Sequence, residues 1–556
     1  MFADDGASTM SAGNVEAQLA EMFADTGSSS PDEEASSSSS EEETSSDQST
    51  SQAEEGWTEA GSLQEFPFSN IGHFNIGPAE SPIDFFNLFF NSTFMSLLIA
   101  SINSHGLRLL LETNAPHSRA LNWKDTNADE VLVFLAMLIH MGHIRLSRLN
   151  DYWSTDPLYN LPFKNFMSRD RFLLILRNLF FSDPNYSFSN NDPNRFVKPI
   201  ITFFNNLMKT LVSPPKNLTI DESVLHWRGR LKIRQYIKGK RHKYGVKIYV
   251  LTDTNGITQK MHMYCGSHDD ELQGKGHADK VVMMLMEDYL DAGHSLYMDN
   301  FYNSVKLAEN LLAKRTYLTG TLRANRVGNP IITRTKIARG TLLTRYRRGV
   351  CVTNYRDKRN VLMISTEHHS NLVDSRNRRG QVSQKPKVIV SYNKFMKGVD
   401  RKDQMLSYYP FYTKSTRWYR KMLLHVMQVM LLNSYLMFNQ QMKYSGNNDK
   451  VMSFLDFRLN VIRKLLKIDR LPPTDRQTAI RNMPTSSTVN KIKTNTGDDI
   501  HLPEELPKNH KGKTKRKDCR HCMDTTGKRK STLFYCPLCS KRPGLCLKCF
   551  RVYHRY

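Results

Sequence analysis

The sequence predicts a multidomain α+β protein, in which an α/β core lies within a helical domain and a cysteine-rich module ends the chain. Three patterns support this prediction. Apolar residues recur at helical spacing over residues 79–215, and β-like runs alternate with helices over residues 216–325. Six of the eight cysteines lie between Cys519 and Cys549. Because the patterns occupy consecutive stretches of 556 residues, we expect separate domains with cores of their own.

The first 78 residues differ in composition from the rest of the chain. They are rich in Ser, Glu and Asp, include the run SSSSSEEE, and contain no Lys or Arg. Such a segment buries too little apolar surface to offset the entropy of ordering it, so we predict that residues 1–78 are disordered. Two roles stay open, a solubilising tail and an acidic competitor for the basic body. The segment lacks the basic and apolar regions of a secretory signal.

The remaining chain is strongly basic. From Arg108 onward it carries 78 basic and 36 acidic side chains, a formal excess of 42 positive charges. This charge predicts a polyanionic partner. No run of 18 apolar residues occurs and the N-terminus lacks a secretory signal, so we expect an intracellular protein with no membrane among its partners. We expect no small-molecule substrate either.

Residues 79–215 predict the first part of the helical domain. Ser81 and Pro82 suit the N-cap and the first helical position of SPIDFFNLFF. Asn127 and Ser168 open two further apolar helices with the same capping chemistry. Helices this apolar are expected to pack into a bundle.

Residues 216–325 predict the first part of the α/β core. LTIDES, GVKIYVLTD and QKMHMYCG are typical of three successive strands, HADKVVMMLMEDYL of a helix, and SLYMD and YLTGTLRAN of a fourth and fifth strand. This is the order of an RNase H-like core. Asp221 and Asp299 follow the apolar runs of the first and fourth strands, so each side chain is expected at or just past a strand end.

The rest of the chain divides by composition. Its predicted parts are a β-rich insertion domain (326–385), the last part of the core (386–409), the second part of the helical domain (410–475), a basic linker (476–517) and a Cys-rich zinc domain (518–556).

Four aspartates form the candidate catalytic cluster. Asp400 and Asp403 share one face of a predicted helix, and Asp221 and Asp299 come from two strands. Convergent carboxylates hold divalent cations, and two such ions about 3.5–4 Å apart activate a nucleophile and stabilise a leaving oxygen in phosphoryl transfer. The residues therefore indicate a metal-dependent nucleotidyl transfer site. Glu222 is expected on the other face of its strand and not as a ligand.

The cysteines at the end of the chain predict one or two zinc ions, because a two-residue gap brings both thiolates to one ion. The candidate ligands are Cys519, Cys522, Cys536, Cys539, Cys546, Cys549 and His554. Two closed sites need eight ligands, so either His521 supplies the eighth or one site alone is complete. A cross-brace would group the first and third cysteine pairs.

Two basic stretches are candidates for nucleic-acid contact, although a solvated charged face explains the first about as well. The first follows Asp221 and contains Arg228, Arg230, Arg234, Lys240, Arg241 and Lys243. The second, TRWYRK, contains Arg417, Trp418 and Arg420. There, Trp418 either stacks on an unpaired base or belongs to the core.

Several motifs follow one another along the chain: TIDE with RGR, then KYGVKIYVLTD, DNFYNS and YN…KGVDRKDQM. Over most of residues 80–475, and again in the Cys-rich tail, the chain resembles the piggyBac family of DNA transposases. The resemblance implies a DDD nuclease with Asp221, Asp299 and Asp400 as catalytic carboxylates, two Mg²⁺ (or Mn²⁺) ions, and Asp403 as a further ligand.

The same resemblance implies cut-and-paste transposition by a nuclear homodimer. Such an enzyme acts on terminal inverted repeats, passes through hairpin intermediates, inserts at TTAA and excises precisely at that site. The alternative is a domesticated, catalytically inactive DNA-binding protein that keeps the fold and the zinc tail.

Overall fold

The computed structural model describes residues 56–70, 72–182, 194–237, 243–266, 269, 272, 274–376, 380–411, 415, 417–468, 501–507 and 513–554. The chain divides into two compact units, Met1–Ile468 and Asp469–Tyr556.

The helices described in the first unit are, in chain order, α1 (Pro82–Phe89), α2 (Ser92–Glu112), α3 (Ala128–Met141), α4 (Arg169–Asn178), α5 (Lys198–Leu211), α6 (His277–Met286), α7 (Val305–Ala313), α8 (Lys387–Phe395), α9 (Gly398–Tyr408), α10 (Trp418–Tyr444) and α11 (Phe454–Leu465). The strands are β1 (His73–Phe74), β2 (Val212–Ser213), β3 (Asn217–His226), β4 (Gln235–Tyr236), β5 (Tyr244–Asp253), β6 (Thr258–Met263), β7 (Ser295–Met298), β8 (Tyr317–Thr321), β9 (Leu342–Arg347), β10 (Val350–Arg356), β11 (Asn360–Ser365), β12 (Leu372–Arg376) and β13 (Val382–Pro386).

The helical stretches before and after the α/β core pack together in one apolar core. The Phe85 ring of α1 meets the Phe438 ring of α10 edge-on at 5.5 Å. Arg458 of α11, which is 1% exposed, donates from Nη2 to the carbonyl of Ile139 in α3 at 2.8 Å. The α/β core therefore interrupts a helical assembly built from both ends of this unit.

Two of these helices, α2 and α10, are long and apolar enough to cross a membrane by length and composition. In α10 the apolar window is 78% buried inside the protein, as expected of a central core helix.

The α/β core is a nine-stranded sheet. Its order is β4-β5-β3-β7-β8-β11-β10-β9, and β6 pairs with β5. The pairs β3–β7 and β7–β8 are parallel and the other pairs antiparallel. The insertion at 326–385 is β-rich, and its strands β9 to β11 continue this sheet beyond β8; β12 and β13 form a separate hairpin that leads into α8.

The segment at residues 56–70 corrects the prediction of disorder up to residue 78. Trp57 is 8% exposed, and Thr58 pairs with Tyr346 on the edge strand β9. Phe66 stacks on Tyr317 with ring centroids 4.0 Å apart. These aromatic side chains supply apolar surface that the average composition of the first 78 residues conceals. Residues 1–55 lie outside the described residues.

The second unit contains short elements: β14 (Glu504–Glu505), β15 (Lys517–Asp518), α12 (Arg520–Thr526), β16 (Ser531–Thr532), β17 (Phe534–Tyr535) and α13 (Leu547–Tyr553). Strand β14 pairs with β17, and Leu506 is 7% exposed. Residues 501–507 therefore belong to the Cys-rich fold, which corrects the predicted linker boundary at 517.

Candidate active site and zinc centres

One face of β3 carries the first candidate carboxylate toward α8 and α9. Thr219 Oγ1 donates to the Phe395 carbonyl at the end of α8 at 2.9 Å. Ser223 Oγ donates to Asp403 Oδ1 on α9 at 2.8 Å. Because side chains alternate along a strand, Asp221 lies between these two residues on the same face. It is in mid-strand, not at the strand end that the sequence suggested, because β3 continues to His226 against β5.

The second carboxylate follows the neighbouring parallel strand. Ile220 of β3 and Met298 of β7 are Cα partners at the end of their shared ladder. Asp299 directly follows β7, as predicted, and its Oδ1 accepts a hydrogen bond from the Phe301 backbone N–H at 2.9 Å. Tyr297 contacts the Phe395 ring at 5.1 Å, so the alternate positions of β7 also face α8.

The third carboxylate, Asp400, lies in the first turn of α9 and is exposed. The helix begins at Gly398, where an added Cβ would lie 2.3 Å from the Asp253 carbonyl oxygen and from Thr252 Oγ1. Only glycine permits this approach, which fixes the start of α9 against the turn after β5.

The charges of the three carboxylates all act on one tyrosine. Tyr392 lies on α8, and burial raises the pKa of its phenol to about 12, with further contributions from the charges of Asp299, Asp221 and Asp400. One phenol thus lies within electrostatic reach of all three candidate catalytic residues. No motif in the sequence singled out Tyr392 on its own.

Glu222 has an electrostatic role that the sequence did not predict. Alternation places it on the β3 face opposite Asp221. Burial raises the pKa of Asp299, and the charge of Glu222 raises it further, while Arg323 and Lys247 act in the opposite direction. A divalent cation bound at Asp299 would offset the repulsion between Asp299 and Glu222.

The donor set fits magnesium or manganese. Asp221, Asp299 and Asp400 offer carboxylate oxygens, the ligands that these hard cations prefer. Asp403 lies next to these residues on α9, and its Oδ1 accepts from Ser223 and lies 2.9 Å from Lys402 Nζ. Burial alone would raise the pKa of Asp403, but the Lys402 charge and the hydrogen bonds from Lys402 and Ser223 hold it below its usual value.

The first basic stretch forms the loop after β3. Arg228, Arg230 and Lys243 are exposed. Arg234 donates from Nη1 to the Arg228 carbonyl at 2.8 Å and lies 5.2 Å from the Tyr244 ring centroid. Lys240 and Arg241 lie outside the described residues. The loop therefore presents exposed cations beyond the end of β3, the strand that carries Asp221.

The second basic stretch, TRWYRK, is less accessible to a nucleic acid than the first. Arg417 is exposed, whereas Trp418 packs half-buried against the helical core. Arg420 donates to the carbonyl of Arg177. Trp418 and Arg420 thus have structural contacts of their own, and their contact with nucleic acid stays a prediction.

The Cys-rich unit contains two groups of four ligand atoms, each within 4.8 Å of one another. The first group is Cys519, Cys522, Cys546 and Cys549. Its Cys522 and Cys549 sulfurs lie 3.4 Å apart, and those of Cys522 and Cys546 4.0 Å apart. A zinc ion bound tetrahedrally to thiolates at about 2.3 Å holds sulfurs at about this separation. The grouping is the cross-brace alternation of the first and third pairs.

The second group is His501, Cys536, Cys539 and His554. Cys539 Sγ lies 3.4 Å from His501 Nδ1 and 3.2 Å from His554 Nε2. His501 therefore supplies the eighth candidate ligand atom, whereas His521 belongs to neither group. Both donor sets suit structural zinc. His501 precedes the first CxxC pair within a polar, lysine-rich stretch, so ligand spacing gave no signal for it.

Two family models match this chain. The family model described as Transposase IS4 matches residues 81–435. A second model, described as a DDE_Tnp_1-like zinc finger, matches residues 501–555 and so includes His501.

Among curated proteins, the chain is similar to PiggyBac transposable element-derived proteins of Homo sapiens. Protein 3 is 26% identical over 366 residues, covering 62% of this chain and 60% of the relative. Protein 2 is 25% identical over 384 residues, covering 64% and 61%. The match thus spans less than two thirds of the length of each relative.

Among solved structures, the chain resembles a piggyBac transposase, described as the cryo-EM structure of a synaptic complex with hairpin DNA. The TM-score is 0.60 at 24% identity, and the match covers 84% of this chain and 96% of that one. This likeness confirms the predicted fold class.

Proposed function

The chain belongs to the Transposase IS4 family, and from this premise we propose that it is a piggyBac-type cut-and-paste DNA transposase. The observation that carries the proposal is the strand register, which makes Asp221 and Asp299 the next residues after the Cα partners Ile220 and Met298. Helix α9, which carries Asp400, is joined to the same face of β3 by the hydrogen bond from Ser223 to Asp403. Two parallel strands and one glycine-seated helix hold these carboxylates from three directions, as a metal-dependent nuclease requires.

In this proposal Asp221, Asp299 and Asp400 hold two Mg²⁺ or Mn²⁺ ions. When bound, the ions polarise the scissile phosphate and lower the pKa of the attacking water. The carboxylates fix the position of both reacting oxygens, and Glu222 adds negative charge behind Asp299 that favours cation binding. Hydrolysis at a transposon end frees a 3′-hydroxyl, which is then the nucleophile of strand transfer.

The substrates would be the terminal inverted repeats of the element and a TTAA target, with hairpin ends as intermediates and precise excision. The net charge of +24 and the exposed Arg228 and Arg230 in the loop after β3 support DNA as the partner. The neighbour of similar fold is described as a synaptic complex with hairpin DNA. A homodimer would bring two ends together, and the protein would act in the nucleus.

The Cys-rich unit would hold two zinc ions and bind DNA ends. Its zinc sites are closed sets of four protein ligands, which is typical of structural and not catalytic zinc. Exposed lysines and arginines between the ligand pairs, such as Lys528 and Arg529, suit phosphate contact.

A second candidate function is DNA binding without catalysis. The curated relatives are described as transposable element-derived proteins, which favours a chain that has kept the fold in another role. The presence of Asp221, Asp299 and Asp400 in one neighbourhood favours the enzyme.

An excision assay separates the two. A donor carrying the DNA that flanks this gene as its ends is supplied with wild type, Asp299→Ala, or the exposed control Asp449→Ala. The proposal expects wild type and the control to restore a clean TTAA site and Asp299→Ala to leave the donor intact. Binding of the ends by wild type without cleavage in Mg²⁺ would favour the DNA-binding alternative.

A further inference from the structure

We propose that Tyr236 and Tyr244, together with Arg234, form a stacking platform for an unpaired base of the DNA substrate, away from the metal site. The proposal deepens the transposase proposal and rests on it for DNA as the ligand. No sequence motif singled out the two tyrosines.

The two tyrosines lie side by side at the end of the sheet. Tyr236 of β4 and Tyr244 of β5 are Cα partners in an antiparallel pair. Their ring centroids are 5.0 Å apart, and the ring planes are tilted by 54°. The residues are 54% and 44% exposed. A cross-strand aromatic pair stabilises the pairing of its strands, but rings this exposed also leave a surface that a base can cover.

Arg234 extends this surface. Its guanidinium carbon lies 5.2 Å from the centroid of the Tyr244 ring. Its Nη1 donates to the carbonyls of Arg228 and Gly229 at 2.8 and 3.2 Å, which fixes the guanidinium in place. Arg228, Arg234 and Tyr244 line an open cavity of about 330 Å³. Guanidinium planes and aromatic rings both stack on the faces of unpaired bases.

The charge around the platform favours a nucleic acid over other planar ligands. Between Glu222 and Asp253 the sequence contains nine Lys and Arg and no Asp or Glu. Arg228 and Arg230 are exposed and available to phosphates. Exposed rings within a basic surface are typical of proteins that bind single-stranded nucleic acid, because the cations follow the backbone and the rings stack on the bases.

The platform is separate from the metal site. Tyr244 directly precedes Gly245, whose Cα partner is His226 at the end of β3. Asp221 lies five residues before His226, so the platform is roughly 20 Å from that carboxylate along the strand. A base held here belongs to a nucleotide away from the scissile phosphate. The platform would therefore hold the DNA strand and take no part in the chemistry.

The test compares two DNA probes in binding to the full-length protein without divalent cations. One probe is a hairpin with a loop of thymines, and the other is a blunt duplex with the same stem. Tyr236→Leu and Tyr244→Leu remove the rings, and Tyr244→Phe keeps one. The control is Tyr444→Leu, at a residue that is 68% exposed on α10. Affinity for each probe and the midpoint of urea unfolding are measured.

Wild type should bind the hairpin more tightly than the duplex. Each leucine variant should bind the hairpin about fivefold or more weakly, because a stacked base is lost, and the duplex within about twofold of wild type. Tyr244→Phe and Tyr444→Leu should bind both probes as wild type does. Arg228→Ala should weaken both probes equally and lower the slope of log affinity against log salt by about one, as expected of a phosphate contact.

A second measurement uses wild type alone, so that it does not depend on the folding of any variant. A 5-iodouracil replaces one thymine of the loop, and the complex is irradiated. The loop should become attached to the peptide that contains Tyr236 or Tyr244, as identified by mass spectrometry. Attachment only to other parts of the chain would overturn the proposal.

The proposal is also overturned if the leucine variants weaken both probes equally, or if wild type binds the hairpin no better than the duplex. Equal weakening with a lowered unfolding midpoint would assign the two rings to strand pairing alone. Neither probe carries transposon sequence and binding requires no reaction. A wild type that fails to cleave its own ends therefore counts against the transposase proposal alone.

Discussion

Ile220 and Met298 are Cα partners at the end of the parallel ladder between β3 and β7, so that Asp221 and Asp299 are the next residues on neighbouring strands. In both strands the side chains on one face point toward α8, as Thr219 of β3 and Tyr297 of β7 show by their contacts with Phe395. This register brings two carboxylates that are 78 residues apart in the chain to one place. The third lies on α9, which approaches the end of β5 closely at Gly398.

Gly398→Ala is expected to abolish most cleavage while DNA binding is retained. An added Cβ would lie 2.3 Å from the Asp253 carbonyl oxygen, so α9 must shift and carry Asp400 with it. Overpacking of this kind costs about 1–3 kcal/mol of stability. Cleavage rate, end-binding affinity and urea unfolding are compared with Gly77→Ala, where an added Cβ meets nothing within 4 Å. Cleavage at the wild-type rate by Gly398→Ala would show that this contact does not place Asp400.

Because His294 is buried, we expect the folded protein to lose stability in mild acid. It is 0% exposed, and burial lowers its pKa from 6.5 to about 4. Between these values the unfolded chain binds a proton that the folded chain does not, so stability falls as the pH falls through this window. When the pH falls from 7.5 to 5, protonation of His294 in the unfolded chain should lower the free energy of unfolding by about 2 kcal/mol.

The measurement is urea unfolding of wild type and His294→Gln at both pH values. Wild type should lose about 2 kcal/mol more than the variant on acidification. His117→Gln, at an exposed position, serves as control and should behave as wild type. An equal loss in wild type and His294→Gln would mean that the His294 imidazole protonates without unfolding.

Residues 56–70 form an N-terminal strap, and replacing Trp57 tests whether the packing of this strap contributes to stability. Its ring is 8% exposed and lies 4.9 Å from the Arg347 guanidinium. Trp57→Ala should lower the free energy of unfolding by about 3 kcal/mol. The control is Leu158→Ala, at a side chain 90% exposed, which should change it by less than about 0.5 kcal/mol. Similar values for both variants would contradict a packed strap.

The strap shows why part of the fold was not predictable. Helix caps and strand runs are local, and Asn127, for example, accepts from the Glu130 backbone N–H as its spacing predicted. The strap depends on distant partners, Tyr346 and Tyr317, that no local pattern identifies. The strand register that places Asp221 next to Asp299, and the close approach of Gly398 to Asp253, likewise depend on contacts between segments that are remote in the chain. The sequence thus indicated which carboxylates are candidates for the site, but it could not predict their geometry.

His501 gives the last prediction, because it decides whether the Cys-rich unit has one closed zinc site or two. Its Nδ1 lies 3.2 Å from Cys536 Sγ and 3.4 Å from Cys539 Sγ, whereas His521 belongs to neither ligand group. A site with three ligands holds zinc far less tightly than a closed set of four. After dialysis against a chelator, wild type and His521→Ala should each retain two zinc ions per chain and His501→Ala one. The first group shares no ligand with the second, so the zinc that remains in His501→Ala should be lost only when Cys519 or Cys549 is also replaced. If His501→Ala retains two zinc ions, or if His521→Ala retains only one, then His521 and not His501 is the eighth ligand.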